Sequence, residues 1–168
     1  MTARRDMMEV ARSKKLFARA ARCAVRAPDG LADQVEALLA RRCLELIGLA
    51  RRAEAAVAGF EVVRDWLRRG RVGILLTASD AAEEGARKLQ RAAAGIPAMR
   101  LFSAAELGQA FGRDLAVHAA VAKGRLAERI LVESARLEGF RAAPPGSETS
   151  GPGDAGRRQG TEKADRND

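Results

Sequence analysis

Apolar positions along the middle of the chain recur at helical spacing in some stretches and run continuously in others, and the two patterns alternate. Leu31, Val35, Leu38, Leu39, Cys43, Leu46, Ile47 and Ala50 step by three and four, predicting one long amphipathic helix from Leu31 to Ala53 with a stripe that must be covered. Val62, Val63, Trp66 and Leu67 predict a second helix, stopped by Gly70 as a left-handed cap. Val72 to Thr77 is a continuous apolar run of strand length, the mark of a strand covered on both faces, and Ser79 or Asp80 is placed to cap the helix that follows. That helix carries Ala82, Ala86, Leu89 and Ala93 and ends at Gly95-Ile96-Pro97. Ala98 to Phe102 reads as a short strand. Ser103 to Glu106 is a capping box opening a helix with Leu107, Ala110 and Phe111 inward and Gly112 as its stop. Leu115 to Ala122 predicts a further strand, and Leu126, Ile130, Leu131 and Leu137 a final helix. Strands separated by helices of this length need crossover connections, so the fold class is α/β with a sheet between helical layers.

The two ends read differently. Residues 144–168 contain no Leu, Ile, Val, Phe, Met or Trp, cannot build a core, and are expected to be a disordered tail. Residues 1–28 concentrate the basic side chains. Arg12, Lys15, Arg19, Arg22 and Arg26 step by three and four, predicting the cationic side of a helix whose other side holds Leu16, Phe17, Ala20 and Ala24. Pro28-Asp29-Gly30 then turns the chain. The expected organisation is a basic segment 1–28, a domain 29–143 and a tail 144–168.

Composition narrows the functions. A net charge of +8 attracts polyanions, nucleic acid first and acidic lipid second. No stretch approaches the roughly 18 apolar residues of a membrane span, and no secretory h-region opens the chain, so a cytoplasmic protein is expected. A membrane-docking basic helix fits poorly, because its apolar side is narrow and rich in Ala. Cys23, Cys43 and a single histidine cannot fill a zinc site without carboxylates or a second chain, and both thiols are expected to be free and partly buried. The G-x-G-x-x-G, G-x-x-x-x-G-K-[ST] and G-x-S-x-G signatures are missing, so no cofactor and no enzymatic activity are expected. Ser79 and Asp80 at a strand end read as a helix cap before they read as catalytic. His118, inside an apolar run, reads as a packed histidine with one ring nitrogen hydrogen-bonded. Glu83 and Glu84 sit where a helix dipole favours negative charge.

The basic residues remain. Arg51 and Arg52 close the long helix, Arg64 and Arg68 share one side of the next, and Arg69, Arg71 and Arg113 stand at element ends. Gly59 would let amides at a helix N-terminus approach a phosphate. The same spacing suits an ordinary solvated face, and pattern alone leaves both readings open.

The residues Leu46-Ile47-Gly48-Leu49-Ala50-Arg51-Arg52-Ala53, then Val57-Ala58-Gly59-Phe60-Glu61, Ser79-Asp80, Ile96-Pro97 and Ser103-Ala104-Ala105-Glu106-Leu107-Gly108-Gln109-Ala110-Phe111-Gly112-Arg113 resemble the kink-turn-binding ribosomal-protein superfamily, with its bacterial YlxQ-type members nearest. The resemblance spans residues 35–138. It implies a three-layer α-β-α sandwich around a four-stranded mixed sheet that binds RNA without catalysis. Ser13 to Ala20 resembles the basic C-terminal helix of the YlxR family of RNA-binding domains, which implies a truncated product or a mis-assigned start. Within the resemblance Gly59 and Phe60 open the RNA-facing loop, but Glu61, Val62 and Asp65 stand where that family has Asn, Glu and Lys. Arg113 to Val117, with Leu115 and Val117, matches the second RNA-facing loop. Arg12, Lys15, Arg19, Arg22, Arg26, Arg51, Arg52, Arg64 and Arg113 are the candidate phosphate contacts. The expected function is binding of ribosomal or other structured RNA in translation or ribosome biology. The alternative is an adaptor for ribosomal or RNA-processing proteins.

Overall fold

The computed structural model describes residues 4–21 and 28–141, and Arg22, Cys23, Arg26 and the expected tail lie outside them. In chain order the elements are α1 (Arg5–Ser13), α2 (Leu16–Ala21), α3 (Leu31–Arg52), β1 (Ala56–Ala58), α4 (Phe60–Arg68), β2 (Val72–Thr77), α5 (Glu83–Ala92), β3 (Ala98–Met99), α6 (Ala104–Phe111), β4 (His118–Ala122) and α7 (Arg125–Arg141). The strands form one sheet in the order β1-β4-β2-β3. β4 runs antiparallel to both neighbours, while β2 and β3, joined through α5, are parallel. The sheet is therefore mixed, as expected.

Side chains alternate across a strand, so each central strand serves two cores. Ile74 and Leu76 of β2 and Ala119 and Val121 of β4 join Cys43, Ile47, Leu107, Ile130 and Leu137 beneath α3, α6 and α7. Val72, Leu75 and Ala120 point the other way, into a smaller core with Val63, Trp66, Leu67 and Leu89 from α4 and α5. Helices on both faces explain why β2 is apolar throughout. The fold is a three-layer α-β-α sandwich. Among the described residues no helix is long and apolar enough to cross a membrane, and no group of three or more His, Cys, Asp or Glu could hold a metal ion.

Several local expectations give way. The basic N-terminal helix is two short helices, because Lys15 takes a left-handed backbone (φ 51°) between α1 and α2, so Arg12 and Lys15 do not share a continuous face. α1 buries no residue of its own. Arg5 ties it to Asp33, to Glu36 and to the Phe140 carbonyl. Neither Ser79 nor Asp80 caps α5, whose N-cap is Ala82. Asp80 instead accepts a hydrogen bond from the Ala104 amide at 2.9 Å, serving the start of α6 across 24 residues of sequence. β3 stops at Met99, since Phe102 turns into the core and its carbonyl accepts from Ser79. β4 begins only at His118. Cys43 is fully buried rather than partly so, and its sulfur accepts from the Ser134 hydroxyl at 3.9 Å. Burial pushes the thiol pKa up.

Candidate nucleic-acid interface

The site forms where β1 hands the chain to α4. Gly59 sits at φ 120°, ψ 141°, a conformation that side chains on an L-residue strongly disfavour. Its N–H donates to the His118 carbonyl at 2.8 Å, which pins it to the start of β4, and its carbonyl accepts from Val63 at 3.0 Å, which starts α4. No side chain caps this helix. The amides of Phe60, Glu61 and Val62 therefore have no acceptor within the helix, and the positive end of its dipole faces outward. A Cβ on Gly59 would meet nothing within 4 Å, so the corner is open.

Two guanidinium groups flank it. Arg51, near the end of α3, lies against Gly112: a Cβ there would stand 2.7 Å from its Nη1. Arg113 donates from Nη1 to the Ala58 carbonyl at 3.5 Å. Both line a cleft of about 330 Å³ whose remaining wall includes Val57, Val62 and Phe111. Among the described residues neither forms an ion pair. Arg64 does not line this cleft: it lies on the Phe60 side of α4, its guanidinium carbon 5.9 Å from the Phe60 ring centre, and Glu61 holds it at 2.5 Å. Glu61 thus offsets the charge of one of the candidate phosphate contacts.

Apolar side chains complete the surface. Leu115 is 63% exposed, Val62 46% and Val117 39%. The loop bearing Leu115 and Val117 is fixed, since Ala116 donates to the Ala104 carbonyl at 2.9 Å and the Asp114 carbonyl lies where a Cβ on Gly108 would go. Phe60 packs edge-on to His118, ring centres 5.7 Å apart. His118 is 7% exposed, and its Nδ1 has no hydrogen-bond partner among the described residues. Burial first, then the nearby positive Arg100, holds its pKa below the usual histidine range.

No family model and no curated protein sequence matches the chain. Solved structures do. A protein of unknown function from Bacillus halodurans C is 27% identical, with a TM-score of 0.52, over 54% of this chain and 94% of that one. The Giardia lamblia 15.5kD RNA binding protein is 21% identical, with a TM-score of 0.51, over 61% of this chain and 89% of that one. What these likenesses share with this chain is the fold.

Of the residues singled out from sequence, the structure brings Arg51 and Arg113 to one cleft beside the Gly59 turn, with Phe60 and the loop of Leu115 and Val117 next to it, while Glu61 and Arg64 pair with each other on the Phe60 side of α4. Arg52 is not among them. It passes Gly48, 3.6 Å from where a Cβ would be, into a separate groove of about 780 Å³ between α3 and α6. Arg12 is paired with Glu9 at 3.1 Å and Asp29 at 2.6 Å, beyond the far end of α3, about 30 Å along the helix from Arg51. Lys15 is exposed at the break between α1 and α2. Arg19 belongs to α2, but its side chain lies outside the described residues, as do Arg22 and Arg26 entirely. Val62 was missed as a site residue, although two adjacent valines opening a helix cannot both face inward.

Proposed function

We propose that this chain is a non-enzymatic RNA-binding protein of the kink-turn-binding superfamily, serving translation or ribosome biology. One observation carries the reading: an uncapped helix N-terminus on Gly59 lies beside two guanidinium groups that pair with no carboxylate among the described residues, next to exposed Leu115 and Val117. Unbonded amides and guanidinium groups suit backbone phosphates, and exposed aliphatic side chains suit unstacked bases. The name of the Giardia lamblia neighbour, an RNA binding protein, supports the same reading. Glu61 at the mouth argues for a ligand geometry that differs from the family's usual one.

The test is binding of a structured RNA hairpin, followed by anisotropy across salt concentrations. Two phosphates held by Arg51 and Arg113 contribute a slope of log affinity against log salt of about −1.4 to −1.8. Arg51→Glu with Arg113→Glu should weaken binding at least tenfold and flatten the slope. A wild-type affinity indifferent to salt would refute the proposal.

A further inference from the structure

The function just proposed uses one end of the sheet and leaves a basic cluster at the other. Arg68-Arg69-Gly70-Arg71 closes α4, and Lys123-Gly124-Arg125 joins β4 to α7. More than fifty residues apart in sequence, the two loops meet in space. The Lys123 amide donates to the Arg71 carbonyl at 3.0 Å, and Val72 pairs with Ala122. The ladder slips at Gly73, where a Cβ would stand 2.9 Å from the Lys123 Cα, so only glycine lets the loops come this close. Every residue of both loops is exposed.

The charge there is poorly compensated. Arg68 and Arg69 share the single carboxylate of Asp65, at 3.5 and 2.8 Å. Glu54 and Glu128 stand on adjoining segments, but neither forms an ion pair with Arg71, Lys123 or Arg125. Arg71 is moreover held in place, its guanidinium 4.3 Å from the centre of the Trp66 ring. This cation–π contact holds the group while Arg71 stays exposed, so its N–H groups remain open to an acceptor.

We infer that these two loops form a second contact for RNA backbone, at the pole of the sheet opposite Gly59. The inference rests on the RNA-binding reading above and extends it from one contact to two. Trp66 is buried under Arg71, so this pole has no stacking platform for bases. It grips phosphate without reading sequence. The nine residues of α4 set the poles about 14 Å apart, beyond the roughly 8 to 10 Å screening length at moderate salt, so each can be altered with little effect on the other.

Trp66 is the sole tryptophan of the chain, which makes its emission a local reporter. The full chain is titrated with a structured RNA hairpin while emission and anisotropy are recorded together. RNA should change Trp66 emission, and added salt should reverse the change. Lys123→Glu with Arg125→Glu should flatten the wild-type salt slope by about 1.4 to 1.8 while retaining salt-dependent binding through the Gly59 corner. Gln at the same two positions should flatten it to a similar degree, which separates charge loss from charge reversal. Unchanged Trp66 emission at saturating RNA, with an unchanged slope in both variants, overturns the second contact and leaves the corner standing. Failure of the wild-type chain to bind RNA overturns both. Emission that responds to anionic phosphatidylserine vesicles and not to RNA assigns this pole to a lipid surface and overturns the inference.

Discussion

At Gly59 the cost of substitution is purely backbone, because a methyl group would meet no neighbour. Gly59→Ala forces an L-residue to φ 120° and should lower stability by about 1–3 kcal/mol, read as a shifted urea midpoint. RNA binding should fall further than stability does, since the amides of α4 would be re-aimed. His118 gives a pH signature. Its folded pKa lies below the unfolded value near 6.5, so the unfolded chain takes the proton first as pH falls. Its contribution is present above that value, is lost as pH falls through the window beneath it, and then levels off. Urea midpoints compared for wild type and His118→Gln between about pH 7.5 and 5 should diverge with pH, wild type losing more on acidification. A constant difference would contradict a buried neutral imidazole.

At the scale of elements, α6 shows how local chemistry fixes a boundary. The Ser103 hydroxyl accepts from the Glu106 amide at 3.2 Å, and the Glu106 carboxylate accepts from the Ser103 amide at 2.8 Å. Burial pushes the Glu106 pKa up, but hydrogen bonds from Arg141 and Ser103 outweigh it and hold the group ionised below the usual range. Ser103→Ala should cost about 1 kcal/mol in denaturant unfolding. This box was legible because its partners are three residues apart. So was α3, expected to run to Ala53 and ending at Arg52, because its stripe spans 22 residues. The short strands were not. Residues 100–102 and 115–117 are apolar enough to continue a strand, yet Phe102 fills the core and Leu115 and Val117 face solvent, outcomes that only tertiary packing decides. The N-terminal cations failed as a group for a different reason: a period cannot register one left-handed residue, Lys15, that ends it. Arg51 and Arg52 divide because consecutive helical residues point about 100° apart, so a sequence pair becomes two separate surfaces.

For the whole molecule, the two cores and the sheet all lie within residues 29–141, whereas α1 contributes no buried side chain. A chain beginning at Asp29 should unfold in one cooperative transition and retain the Gly59 corner, losing the ion pairs of Arg5 and Arg12 with α3 and its approach. Calorimetry of that truncation, together with its RNA affinity, checks the expected boundary. A broad, non-cooperative transition would show that α1 and α2 complete the domain.

The helix α4 carries a consequence of its own. One end presents free amides at a glycine, and the other turns into the loop that meets β4, with no hinge between them and Val63, Trp66 and Leu67 anchoring it to the sheet. A rod fastened at both tips cannot stretch to suit what it holds. Adding a full helical turn would move one tip by about 5 Å and swing nothing else, so the chain behaves as a fixed caliper whose jaw width is written in nine residues.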